Sequence, residues 1–381
     1  MIFALLLFTF VLLVFYTGLL LYYRSGWVNM PGFPAPDLNY SPGTFITVLI
    51  PARNEGANIF VLLDSVIAQT YPSHLFEVIV VDDHSTDNTA EVVRKYPSVK
   101  LLLLENFIKG GAINSYKKKA IETGIQQSRG SLIVTTDADC YTPPNWLRTI
   151  AAFYESYQPE LIVMPVAIDC DNRPIEIFQA LDFMTLQGIT GAAVQQKMHS
   201  MCNGANLAYT RKAFDKVNGF TGIDNIASGD DMLLMHKIAV QYPGGIAYLK
   251  SPDVIVQTEP VHTTREFFHQ RIRWASKADQ YDDKRIFWVL LLVYLLNVCF
   301  LVIPVVSILF ADWPLFIDWA LLLLVKIIIE LLFLFPVSKF FKKEGLLFYF
   351  ALAQPFHIVY TVVAGWLGKF GSYKWKGRNV Q

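Results

Sequence analysis

"FEVIVVDDHSTDNT", residues 76–89, is an apolar run that ends abruptly in acids. Continuous apolar runs of this length read as strands buried on both faces, the mark of a parallel sheet covered by helices. Three further runs share the pattern: "TFITVLIPARNE" (44–55), "SVKLLLLEN" (98–106) and "GSLIVTTDADC" (130–140), the last again ending in acids. Between them lie helix-like stretches over 57–69, 87–96 and 115–127, each long enough for a crossover. The expected fold is α/β, Rossmann-like, with a mostly parallel sheet. Ligands of such sheets sit beyond the carboxyl ends of the strands. Those ends carry Pro51, Arg53, Asn54, Glu55, Asp82, Asp83, Asp137 and Asp139.

Asp87 reads as an N-cap for the helix that follows. Asp137 and Asp139, one residue apart, are expected on the same side of an extended segment. Two hard oxygen donors suit Mg²⁺ or Mn²⁺ that also binds phosphate. A lone D-x-D is a weak signal; at the end of a strand in this pattern it is strong. Further along, "MCNGANLAYTRKAF" (201–214) sets a glycine between two asparagines, either a simple turn or a place where backbone meets a ligand. "ASGDDMLLMHKIA" (227–239) puts Asp230 and Asp231 at a helix start, where they serve the helix dipole or supply a general base.

Hydrophobic residues make up 53% of the 381 and charged residues 17%, a membrane-protein balance. Lys+Arg and Asp+Glu are equal at 32 each, which gives no electrostatic case for nucleic acid. Cys140, Cys170, Cys202 and Cys299 form no C-x-x-C pair and read as free thiols in a reducing compartment. Residues 2–23 carry no charge and are long enough to span a bilayer, with no basic flank or cleavage site to mark a signal peptide. Apolar stretches return at 286–310, 313–337 and 345–367. Basic residues at 24, 284–285 and 339–343 place 24–285 and 338–344 in the cytosol by the positive-inside rule. Gln354, Pro355 and His357 interrupt the last stretch, and a full span would export the basic tail 368–381, so a bent or re-entrant helix is expected there. Lys326 and Glu330, four apart, read as an ion pair holding membrane helices together, with the lining of an acceptor path as the alternative.

"QRIRW" (270–274) places Gln270, Arg271, Arg273 and Trp274 just before the second apolar stretch. Arg and Trp at a membrane edge are ordinary anchors; a cation beside an aromatic platform also suits an anionic leaving group. Taken in order, "PARNE", "VDDHSTDNT", "DAD", "NGAN", "GDD" and "QRIRW" resemble the inverting family 2 glycosyltransferases of GT-A fold, in their membrane-integrated branch, with cellulose, chitin and hyaluronan synthases and ceramide glucosyltransferases. The resemblance covers roughly 45–280 and the helices after it. It implies an N-terminal membrane helix (1–24), a cytosolic GT-A domain (45–285), membrane helices (286–367) and the basic tail.

The resemblance also implies roles. Glu55 and Asp83 hold the nucleoside of a sugar nucleotide, UDP first in line, and Pro51 and Arg53 belong to the same donor site. Lys117 contacts the donor, with Lys118 and Lys119 as alternatives. Asp137 touches the donor sugar or ribose, and Asp139, with Asp137, the Mg²⁺ or Mn²⁺. Asp231 is the base, with Asp230 as its rival, and Gln270, Arg273 and Trp274 serve the leaving diphosphate and the acceptor. Arg271 is left as an interface anchor. Two departures stand out: His84 occupies a position where glycine is common, and "GDD" replaces the frequent "TED". The expected activity is single-sugar transfer from a nucleotide sugar to a lipid or membrane-bound glycan acceptor. A processive polysaccharide synthase, for which a homo-oligomer would build the channel, is the alternative. A non-catalytic sugar-nucleotide-binding or transport subunit is the remote one.

Overall fold

The computed structural model describes residues 2–37, 39–108, 114–171, 173–199, 201–226, 228–276, 283–370, 373–375 and 378–380. Parts of the tail (371–372, 376–377 and 381) lie outside the described residues. In chain order the elements are α1 (Ile2–Asn29), β1 (Ile46–Ala52), α2 (Ile59–Ile67), β2 (Phe76–Asp82), α3 (Thr89–Val93), β3 (Val99–Leu103), α4 (Tyr116–Gln126), β4 (Leu132–Thr135), β5 (Cys140–Tyr141), α5 (Trp146–Tyr157), β6 (Leu161–Val163) and β7 (Val166–Ile168). After these come α6 (Pro174–Gln195), β8 (Leu207–Thr210), α7 (Arg211–Lys216), α8 (Asp230–Gln241), β9 (Ile246–Tyr248), β10 (Val256–Thr258), α9 (Thr264–Ala275), α10 (Lys284–Leu309), α11 (Trp313–Phe341) and α12 (Phe350–Phe370). They form two compact units. One comprises 30–169 and 190–259, the other 1–29, 170–189 and 260–381, so the 45–285 stretch contributes to both.

The first unit is built on a seven-stranded sheet in the order β3-β2-β1-β4-β8-β6-β9. β1 runs parallel to β2 and β4, and β2 to β3; only β8 runs against its neighbours β4 and β6. Burial explains the continuous apolar runs: Ile46, Val48, Leu49 and Ile50 of β1 and all four residues of β4 are buried. The helices cover the faces by apolar spacing. Ile59, Leu62, Leu63 and Val66 are the buried stripe of α2. α4 packs close on β1 because Gly124 lets it: a Cβ there would stand 2.2 Å from Leu49 Cδ1. The chain leaves β1 toward β2 on one side and arrives at β4 on the other. The β1/β4 boundary is therefore the topological switch point, where such sheets open a crevice. Ala52, Asp82 and Leu103 are aligned in register, and Thr135 stands opposite Leu49. The turn after β4 is thereby set beside the end of β1.

The second unit holds the apolar helices. By length and composition alone, four helices among the described residues could cross a membrane: Phe3–Asn29, Lys284–Leu309, Trp313–Phe341 and Glu344–Lys369. Leu12, Leu13, Leu296, Phe300, Ile303, Leu315 and Ile358 form their common core. Gln354, Pro355 and His357 do not break the last helix. α12 continues through them, and the polar side chain of Gln354 is used internally. Lys326 Nζ pairs with Glu330 Oε1 at 2.7 Å and donates to Gln354 Oε1 at 2.7 Å; Gln354 Nε2 and Tyr16 Oη each donate to Glu330, both at 2.7 Å. Every charge in this network has its partners, as burial requires. The network fastens α1, α11 and α12 together.

Candidate active site

The crevice at the switch point collects the acids. Asp137 and Asp139 do not lie on an extended segment as expected: β4 stops at Thr135, and residues 137–140 make a turn closed by Cys140 N–H donating to the Asp137 carbonyl at 3.3 Å. The same-face argument therefore fails, and the two carboxylates have separate surroundings. Asp137 Oδ1 accepts from Lys117 Nζ at 2.8 Å, and the same ammonium stands 3.4 Å from Asp230 Oδ2. Burial alone would lower the Lys117 ammonium, but Asp137 and Asp230, with Asp231 beyond, outweigh it and hold it well above its ordinary value. Lys117 is thus a permanent cation between two carboxylates.

Geometry also chooses among the three lysines at the start of α4. Lys118 is buried and donates to the carbonyls of Ile223, Ile226 and Ser228. Lys119 pairs with Glu122 at 3.2 Å. Only Lys117 faces the acids of the crevice.

Asp230 and Asp231 open α8 as expected. Asp231 is held by backbone: Oδ2 accepts from Gly204 N–H at 3.0 Å and Oδ1 from Met232 N–H at 2.7 Å. The "NGAN" segment supplies that contact. Asn203 folds it into a single turn by accepting from Ala205 N–H, and a Cβ on Gly204 would lie 3.3 Å from Asp230 Oδ2 and 3.6 Å from Lys117 Nζ. Asn206 is structural. It is wholly buried, accepts from Trp146 Nε1 and donates to the Pro165 and Val254 carbonyls.

At the ends of β1 and β2 a second group forms. Arg53 donates to the Asp83 carbonyl at 2.8 Å and lies 3.8 Å from its carboxylate, which is buried and also bonds His84 Nδ1 at 2.9 Å. Pro51 and Ala52 belong to β1 itself, Pro51 opposite Val81, and Glu55 follows in the loop, half-buried. His84 has φ +54°, a left-handed conformation that glycine adopts without strain, which explains why glycine is common at that position in the family it resembles. Asn54 and Asp87 lace these loops together through partners that the sequence did not mark, Gly56, Thr86 and Thr89. Asn54 Oδ1 accepts from Thr86 N–H, and Asp87 accepts from Gly56 and Thr89 N–H. Asn88, not Asp87 as expected, holds the N-cap position of α3; Asp87, one residue earlier, ties the β1 loop to the start of the helix. A Cβ on Gly56 would stand 2.0 Å from Asn88 Oδ1, so a larger residue there would have to displace the Asn88 side chain. The "RNEG" stretch (53–56) was the available signal.

Among the described residues no three His, Cys, Asp or Glu side chains cluster to hold a metal by themselves. The donors fit Mg²⁺ or Mn²⁺ nonetheless, because these ions take one or two carboxylates and complete their shell with phosphate and water. Asp139, half-exposed on the turn, and Asp137 are the donors available.

Gln270, Arg271, Arg273 and Trp274 sit on α9 in the other unit, whose start is fixed by a capping box between Thr263 and Glu266. Gln270, Arg273 and Trp274 are half-buried, and Gln270 Oε1 has no hydrogen-bond partner among the described residues. The anchor reading of Arg271 is overturned. Its side chain is 4% exposed and pairs with the buried Asp182 at 2.7 Å. An anchor keeps its head in water; this guanidinium is enclosed.

Comparison with known proteins agrees with this layout. Residues 47–217 match the glycosyl transferase family 2 profile. The chain is 40% identical over 103 residues to glycosyltransferase AglE of Haloferax volcanii, covering 27% of this chain and 33% of that one. It is 27% identical over 256 residues to a beta-monoglucosyldiacylglycerol synthase of Synechocystis, covering 64% of this chain and 50% of that one. It therefore spans a half or less of these relatives. A mannosyltransferase of Pyrobaculum calidifontis, solved with GDP-Man and Mn²⁺, superposes with a TM-score of 0.54 at 21% identity over 97% of this chain and 99% of that one. The fold is thus GT-A, a mostly parallel α/β sheet with long apolar helices, and residues 47–217 are similar to the glycosyl transferase family 2 domain.

Proposed function

We propose that this chain is an inverting membrane hexosyltransferase that moves one sugar from a nucleotide sugar, a UDP-sugar first in line, to a lipid or membrane-bound glycan acceptor. The observation that carries it is the Lys117 ammonium held between Asp137 and Asp230, beside an Asp231 carboxylate oriented by Gly204 N–H, at the switch point of the sheet. The family match and the lipid named for the Synechocystis relative support the same reading.

In this mechanism Pro51 at the end of β1, Arg53 and Glu55 after it and Asp83 after β2 receive the nucleotide donor. Asp139, with Asp137, would hold Mg²⁺ or Mn²⁺, which supplies charge neutralisation at the diphosphate. Lys117 adds a fixed cation at the same place. Asp231 takes the proton of the acceptor hydroxyl as that oxygen bonds the anomeric carbon. The bond from that carbon to the diphosphate oxygen breaks, its electron pair leaves with the nucleoside diphosphate, and the single displacement inverts configuration. Asp231 suits the role better than Asp230, whose charge is already matched by Lys117. Arg273 is assigned to the leaving diphosphate through charge-assisted hydrogen bonds, Gln270 to the same motif, and Trp274 to the acceptor as a stacking floor. The domain is assigned to the cytosol, where the positive-inside rule places it.

The test is direct. Membranes containing the protein are incubated with a panel of labelled sugar nucleotides, and products are divided into lipid-extractable and polymeric fractions. Label in the lipid fraction is expected. Label only in polymer would establish the processive synthase instead, and no turnover of any donor would sink the enzymatic reading.

A further inference from the structure

Inside the unit that carries the apolar helices, three helices meet at one buried ion pair. Asp182 on α6 pairs with Arg271 on α9 at 2.7 Å, and Tyr360 on α12 donates its hydroxyl to the other oxygen of Asp182. Asp182 and Arg271 are 8% and 4% exposed. Phe267, Arg271 and Trp274 stand at i, i+4 and i+7, on one face of α9. The guanidinium carbon lies 4.8 Å from the Phe267 ring centre and 4.2 Å from that of Trp274. Phe267 in turn meets Phe178 at 5.5 Å and Tyr360 at 5.2 Å, and Trp274 meets Phe183 at 6.0 Å. Nε, Nη1 and Nη2 of Arg271 have no hydrogen-bond partner among the described residues, so the guanidinium is held by the charge of Asp182 and by the two rings.

A buried ion pair is a poor device for stability, since well-packed apolar side chains commonly do as well. Its placement suggests a different use. The structure assigns Asp182, Arg271 and Tyr360 as positioning residues that hold the Trp274 ring for the acceptor, acting through the Arg271 guanidinium. This rests on the acceptor-side role given to Trp274 above. Asp182 holds the guanidinium in place by charge, Tyr360 fixes Asp182, and the flat cation supports the indole by cation–π stacking. Lysine at 271 would keep the charge and lose the flat face.

The readout is the ratio of sugar transfer to donor hydrolysis by water, with the Michaelis constants of donor and acceptor measured separately. Arg271→Lys is expected to lower transfer by about 10²-fold, the scale of a misplaced substrate, with donor hydrolysis and donor KM near wild type. Tyr360→Phe should move the same ratio less far. Because a lone buried charge could unfold the protein, Arg271→Met is also combined with Asp182→Leu, which removes both charges together. This double variant should fold and insert while the transfer-to-hydrolysis ratio collapses. Wild-type transfer in the folded double variant would overturn the assignment. So would equal losses of transfer and hydrolysis, which mark damage to the whole enzyme. A wild-type protein that neither hydrolyses nor transfers any donor would instead refute the enzymatic reading, and this inference with it.

Discussion

Asp231 and Asp230 are neighbours with different attachments, and that difference is testable. Asp231 is oriented by two backbone N–H groups, while Asp230 faces the Lys117 ammonium at 3.4 Å. Asp231→Asn keeps the size and one of the two acceptor oxygens but cannot take a proton. Donor binding should persist while transfer falls by about 10²–10⁴-fold, the usual worth of a general base. Asp230→Asn should weaken donor binding more than it slows chemistry, because it releases a counter-charge of Lys117. Donor affinity by calorimetry and single-turnover rates separate the two, and the reverse pattern would exchange their roles. The acids themselves were legible in the sequence, since each stood at a strand end or helix start. Their partners were not. Nothing local distinguishes Lys117 from Lys118, because which lysine faces the crevice depends on how α4 is rotated against the sheet. Asp182, in a helical stretch with no motif, meets Arg271 only through tertiary packing.

The turns after the strands, rather than the strands, carry the site. β1, β2, β3 and β4 were readable from their unbroken apolar runs, and the crossover helices from the lengths between them. The turn at 137–140 was misread as extended because two acids one residue apart look alike in a strand and in a turn; the Cys140-to-Asp137 hydrogen bond decides it. Asp139 is thereby left on the turn while Asp137 is engaged by Lys117, so a metal here depends on the donor's own phosphate oxygens. Transfer should be abolished by a chelator and restored by Mg²⁺ or Mn²⁺, and full turnover in excess chelator would refute the assignment of the turn. The single turn at Gly204–Asn206 makes a second, independent case. A methyl group on Gly204 would press within 3.3 Å of Asp230 Oδ2 and 3.6 Å of Lys117 Nζ, while Asn206 still anchors the segment. Gly204→Ala should leave the thermal midpoint within a few degrees of wild type, as expected for a cost of about 1 kcal/mol or less, yet reduce transfer about tenfold or more through displaced carboxylates. Unchanged turnover would mean that the turn is not part of the site.

At the scale of the molecule the open matter is how many of the four long apolar helices cross the membrane. α10 and α11 form an antiparallel pair, joined by the turn at 310–312 and bonded from Trp319 Nε1 to the Phe300 carbonyl at 3.0 Å. The end of α11 lies with the end of α1, since Phe340 packs on Trp27 at 5.4 Å and Arg24 donates to the Leu332 carbonyl. The start of α10 and the ends of α1 and α11 therefore share one side. α12 begins near that side, just after α11. Gln354 then meets Glu330, which lies eleven residues before Phe341, roughly 17 Å along the helix, about halfway through the hydrocarbon. Beyond it α12, an unbroken helix, runs along α10. Ile358 packs with Leu296 and Phe300, a Cβ on Gly365 would touch the ring of Tyr294, and one on Gly368 would stand 2.6 Å from Ala275 Cβ, on the segment before α10 starts. The end of α12 thus comes to the side where α10 starts, although the length and composition of the helix would permit a crossing. Charge agrees: a crossing would export Lys369 and the basic tail, against the positive-inside rule. The expected topology has three crossings and one helix that enters and returns. In a variant without the native cysteines, Ala311→Cys should react with an impermeant thiol reagent on intact cells. Ser372→Cys, in the tail outside the described residues, should react only after permeabilisation. Labelling of Ser372→Cys from outside would show that α12 crosses fully.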